Sequence, residues 1–171
     1  TSSAHLADIT PPGYCLSSFP TTVSKSTASH NLGGGTAFLT KEPCNVLSIS
    51  SPIFSSFEAS SITLKLLSSK FTVFNVYRRP SSSPHSPPLS VFFEQFHTFL
   101  STAATTPHEF LITGDFNFHV DDPNDSSAQQ FLSILSSFNL AQHVSFPTHM
   151  LSHTLDLVIT SNNSSLHPSI S

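Results

Sequence analysis

The chain has 171 residues, of which only 9% are charged, with 16 Phe, 13 Pro and no Trp, so it suits one domain with an aromatic core and a hydroxyl-rich surface. Its net charge of −4, with six Lys and Arg in all, argues against a protein that grips nucleic acid mainly through phosphates. No apolar run of about 18 residues and no charged segment leading into an apolar one occurs, which predicts no membrane span, no signal peptide and a soluble intracellular protein, nuclear or cytoplasmic.

Residues 1–32 are rich in Ser and Thr, contain Pro11, Pro12 and Pro20, and lack sustained periodicity. They are expected to form a loop-rich lead-in. Gly33, Gly34 and Gly35 then give a turn feeding a strand through Thr36 to Leu39. A phosphate-cradling loop would need a helix and a Lys-Ser/Thr after the glycines, and neither follows. Ile62, Leu64 and Leu66 alternate with polar residues before the run Phe71 to Tyr77, the pattern of an antiparallel hairpin. Because both faces of Phe71 to Tyr77 are largely apolar, that strand is expected in the interior of a sheet.

Leu89, Phe92, Phe93, Phe96, Phe99, Leu100 and Ala103 fall at the spacing of an amphipathic helix, with Ser86 and Pro87 as its start. A strand from about Glu109 to Thr113 follows. A second helix carries Ala128, Phe131, Leu132, Leu135 and Phe138 on one face, opened by a capping box at Ser126 and Gln129 and closed near Asn139. Strands interleaved with helices predict an α/β sandwich, and no internal repeat or domain boundary is visible.

The stretch Leu111 to Asn117 delivers Asp115 and Asn117 from the end of a buried apolar run. If the strand continued, both would face one side and point into one cleft. A carboxylate there could orient or deprotonate a water, and an amide could donate to a phosphate oxygen gaining charge. Both are equally good turn residues. Tyr77 could reach the same cleft or simply end a core strand. Asp156, inside the apolar run Leu155 to Ile159, needs a partner if buried, or reaches solvent from an edge strand.

Asp115, Asp121, Asp122 and Asp125 crowd a short stretch, but a calcium loop would require Gly at Val120 and Glu at Ser126. The stretch 121–125 reads instead as a solvated turn. The 10 His lack helical ligand spacing, and Cys15 and Cys44 are expected to be unpaired.

Taken in order, Phe71 to Tyr77, the Gly114-Asp115-Phe116-Asn117 turn and Ser152 to Ile159 resemble the endonuclease/exonuclease/phosphatase superfamily. The resemblance is closest to the endonuclease domain of LINE-type (non-LTR) retrotransposon polyproteins, and it runs from about Gly33 to Ile159. It implies a four-layer α/β sandwich and nicking of duplex DNA dependent on Mg²⁺ (or Mn²⁺), with a reverse transcriptase domain as partner in the full polyprotein. Asp115 would position the attacking water, Asn117 would steady the phosphate, Tyr77 would contact it, and Asp156 would orient a catalytic His. Arg78, Arg79 and His119 would line the substrate side, although Arg79 stands where the pattern has a proline.

The metal-holding Glu motif and the downstream Ser-Asp-His motif of that family are not found, and His167 lacks the preceding Asp. Of the metal ligands only Asp115 is a candidate. The chain is therefore expected to be one partial domain over 1–171, cut at both ends and weak or inactive by itself. A phosphatase or phosphodiesterase of the same fold, and a non-catalytic remnant, are the alternatives.

Overall fold

The computed structural model describes residues 10–20, 35–84 and 86–166. The expectations for residues 1–9 and 21–32, for Gly33 and Gly34 and for His167 fall outside them. Strands β1 (Tyr14–Pro20) and β2 (Gly35–Lys41) form an antiparallel ribbon. β3 (Asn45–Ser50), β4 (Glu58–Leu66), β5 (Ser69–Tyr77), β6 (Glu109–Asp115), β7 (Leu140–Gln142) and β8 (Asp156–Ser161) form a six-stranded sheet ordered β3-β4-β5-β6-β8-β7. Among the described residues two helices, α1 (Leu89–Ala103) and α2 (Ser126–Ser137), complete the α/β arrangement.

The β4–β5 hairpin is antiparallel, turns at Leu67 with φ 50°, and places β5 in the interior between β4 and β6, as its two apolar faces require. β5 and β6 are parallel, with α1 as the crossover between them. Val76, Phe110, Ile112, Leu157 and Ile159 share one buried cluster with Phe92, Phe96, Phe99 and Leu100 of α1 and with Phe131 and Leu135 of α2. Rings of Phe96 and Phe131 stack at 5.3 Å and those of Phe92 and Phe96 at 5.2 Å. At about 1.5–3 kcal/mol per fully buried large apolar side chain, this aromatic layer is the main source of stability.

The opposite face of the sheet is covered in part by the β1–β2 ribbon. Ser60 and Asn75, opposite each other in β4 and β5, receive it: Thr36 Oγ1 lies 2.6 Å from Ser60 Oγ, and Asn75 Nδ2 donates to Ala37 O at 3.5 Å. Helices, main sheet and ribbon make three of the four expected layers among the described residues.

Two sequence expectations need correction. Residues 14–20 are not loop but strand β1, because their backbone pairs with the distant β2, a non-local partner that hydroxyl-rich residues without alternation do not announce. The second helix is capped by Asp125 rather than by a Ser126 capping box: its carboxylate accepts from Ser127 N at 2.9 Å and Ala128 N at 3.1 Å. A carboxylate also suits the positive end of the helix. The other end follows expectation, with Asn139 at φ 56° closing α2. Among the described residues no helix is long and apolar enough to cross a membrane.

Candidate active site

Register brings the predicted residues together. In the parallel pair β5–β6, Tyr77 lies beside Asp115, and in the antiparallel pair β6–β8, Asp115 lies directly opposite Asp156. Paired residues share a face, so Tyr77, Asp115 and Asp156 form a row on the side of the sheet away from the helices. Tyr77 and Asp115 are half-buried, and Asp156 is exposed.

The strand ends at Asp115, so the expected same-side alternation of Asp115 and Asn117 does not apply. A turn brings them together instead. Asn117 stands at φ 52°, and its backbone N donates to Asp115 Oδ1 at 3.1 Å. Phe116 and Phe118, on either side of Asn117, plunge into the core at 0% and 2% exposure and pin the turn. Gly114 enters this turn at φ 143°, and a Cβ there would sit 1.8 Å from Val76 O on β5. Only glycine lets the two strands approach so closely.

Asn117 Nδ2 donates to Arg78 O at 2.7 Å, which uses one amide N–H and leaves the other for a ligand. Arg78, expected on the substrate side, is turned inward at 4% exposure. Its Nη1 donates to Phe116 O and Asn117 O, both at 3.0 Å, and its Nη2 to Ser81 Oγ at 2.5 Å. The guanidinium lies 4.1 Å from the Phe118 ring centroid and 5.2 Å from that of Phe92. Burial lowers its pKa to about 10 against the attraction of Asp115 and Asp125, so it stays charged at neutral pH. Arg79 is half-buried at the exit of β5.

The loop between β7 and β8 holds Asp156 in place, a role that sequence reading missed. Thr148 Oγ1 accepts from Leu155 N and Asp156 N, both at 3.0 Å, and so holds the start of β8. Asp121 receives Thr154 N at 2.8 Å and faces His153 Nδ1 at 3.1 Å. The His119 and His153 rings stack at 3.8 Å, so His119 is tied to this loop. His149 lies close enough to Asp115 to act on its charge.

Burial, then repulsion by Asp156, pushes the Asp115 carboxyl above the ordinary aspartate value; hydrogen bonds from Asn117 and the attraction of His149 oppose this. Burial also acts to raise Asp125, but bonds from Ser127, Ala128 and the His119 backbone bring it below the usual range. The Thr154 N–H is the main cause of the lowered Asp121 pKa. For Mg²⁺ the residues present do not fit: among the described residues no three His, Cys, Asp or Glu side chains converge on one point. Asp115 and Asp156 alone fall short of an octahedral oxygen set.

A family model described as endonuclease-reverse transcriptase matches residues 71–170, more than half of the chain. The chain belongs to this family. Its fold is that of the endonuclease/exonuclease/phosphatase superfamily, as solved structures also indicate. The catalytic domain of human Nocturnin, solved with bound sulfate, is 19% identical, with TM-score 0.59 over 94% of this chain and 64% of that one. An endonuclease/exonuclease/phosphatase family protein from Leptotrichia buccalis is 12% identical, with TM-score 0.58 over 92% and 62%. D. rerio TDP2, complexed with a single-strand DNA product, is 9% identical, with TM-score 0.58 over 96% and 68%. The chain thus spans roughly two thirds of the length of these structures. No curated protein sequence matches it.

Proposed function

We propose that this endonuclease-reverse transcriptase family chain is one partial domain of a DNA endonuclease, and that it nicks duplex DNA for a retrotransposon polyprotein that also carries a reverse transcriptase. The observation that carries this reading is the row Tyr77, Asp115 and Asp156 with Asn117 locked beside it. A water oxygen attacks phosphorus, the bond from phosphorus to the 3′ oxygen breaks, and that oxygen leaves with the electron pair and takes a proton from solvent, giving a 5′ phosphate and a 3′ hydroxyl able to prime synthesis. Asp115 orients the water and takes its proton, a task that a raised carboxyl pKa suits. The free N–H of Asn117 donates to the phosphate oxygen that gains charge. Tyr77 contacts the same phosphate, Asp156 orients a catalytic His from downstream, and Arg79 and His119 stand on the DNA side. Mg²⁺ (or Mn²⁺) belongs to this reading through the family resemblance, and no step above depends on residues holding it.

The second reading is hydrolysis of a small phosphoester. It is favoured by the net charge of −4 and by Arg78, one of only six basic residues, pointing inward. Competition separates the two. Supercoiled plasmid and a soluble aryl phosphate are offered together, with Mg²⁺, to the full-length protein that contains this chain. Plasmid relaxation that the phosphate ester does not inhibit supports the endonuclease; turnover of the ester alone overturns it.

A further inference from the structure

Arg78 is a buried cation that no carboxylate meets within ion-pair distance among the described residues. Such a charge is expensive to hold inside, and an apolar side chain of similar volume would ordinarily be cheaper. Its contacts show where that cost goes. Arg78 N donates to Asp115 O at 2.9 Å, its Nη1 to the carbonyls of Phe116 and Asn117, and Asn117 Nδ2 returns a bond to Arg78 O. One residue is therefore tied to each of the successive residues 115–117. The guanidinium, its Cζ 4.1 Å from the Phe118 ring centroid, reaches both carbonyls from one nitrogen while the other holds Ser81.

We propose that Arg78 is a positioning residue: it imposes the left-handed conformation of Asn117 and thereby aims the free amide N–H of Asn117 and the carboxylate of Asp115 into the cleft. A cation in this place acts through direct bonds to neutral backbone acceptors, so it orients the turn without forming an ion pair with Asp115. The catalytic part of the inference rests on the proposed phosphodiester hydrolysis; the structural part does not.

The test compares Arg78→Met and Arg78→Lys with the wild type in the full-length protein, using hydrolysis kinetics and amide exchange followed by NMR. In Arg78→Met, with the fold retained by circular dichroism, kcat should fall about 100-fold with KM little changed, the scale expected for a displaced catalytic group. The Asn117 side-chain amide should exchange faster as its bond to Arg78 O loosens. Arg78→Lys, a single ammonium unable to span both carbonyls, should give an intermediate kcat and the same faster exchange, and it decides the matter if the Met variant does not fold. Guanidinium ion added to Arg78→Ala should restore part of kcat. Wild-type kcat and wild-type Asn117 exchange in a folded variant would overturn the proposal. If the wild type hydrolyses no phosphoester, the functional reading fails, and the exchange rates alone still decide whether Arg78 holds the turn.

Discussion

The two faces of the central sheet are made from the same strands and obey different rules. On the helix face, Val76, Ile112, Leu157 and Ile159 are at most 1% exposed and share one cluster with the Phe-rich side of α1 and with Phe131 and Leu135 of α2. On the other face, an odd number of residues away along each strand, stand Tyr77, Asp115 and Asp156, with a like-charge pair placed directly opposite across β6 and β8. Opposed like charges destabilise a sheet. The helix face supplies the stability that lets the opposite face hold an unfavourable polar arrangement, and the turn after β6 joins the two by burying Phe116 and Phe118 around Asn117.

The largest effect is expected where the two faces meet. Gly114→Ala would drive a methyl group into Val76 O, with no flexible side chain to yield, and should cost about 4 kcal/mol or more, read as loss of the cooperative thermal transition. On the helix face alone, Phe96→Ala removes a ring in contact with Phe57, Phe92, Phe99, Phe116 and Phe131, and should cost about 3–5 kcal/mol in urea denaturation. At the junction of the turn with α2, Asp125→Ala should cost about 1 kcal/mol. Because the folded pKa of Asp125 is depressed, that difference should be full above the ordinary aspartate pKa and vanish as pH falls through the folded value.

The smallest change should have the opposite sign. Asp115→Asn removes a carboxylate raised by burial and by Asp156, and should leave stability unchanged or slightly increased. With a raised folded pKa, ionisation of Asp115 opposes folding. The advantage of Asn should therefore be absent at low pH and emerge as pH rises from the ordinary aspartate pKa through the folded one, as measured by Tm against pH. A large loss of stability in Asp115→Asn would place this residue with the structural face and break the contrast.

Much of the helix face was legible in the sequence. The spacing of Leu89, Phe92, Phe93, Phe96, Phe99, Leu100 and Ala103 gives α1, and all are buried except Leu89, which is half-buried at its start. Periodicity is a local signal, and local signals also marked the β4–β5 hairpin, the interior β5 and the end of α2 at Asn139. Register is not local. Tyr77, Asp115 and Asp156 could be nominated from their strands, but only pairing puts them side by side. The same limit hid β1, whose partner β2 is distant, and the roles of Thr148 and His149, which reach the site from a loop without apolar pattern. Arg78 was misplaced because a basic residue at the end of a strand ordinarily faces solvent, while here the ring of Phe118 and the carbonyls of a positive-φ turn offer it a better place inside.

Whether Asp115 carries chemistry is decided by the rate at which the full-length protein containing this chain converts supercoiled plasmid to nicked circle in Mg²⁺, with and without Asp115→Asn. The wild type should nick, and a folded Asp115→Asn protein should lose about 100-fold or more, the scale set by removal of a general base. Equal rates in the two proteins would contradict this, and would leave the Tyr77, Asp115 and Asp156 row as architecture rather than chemistry.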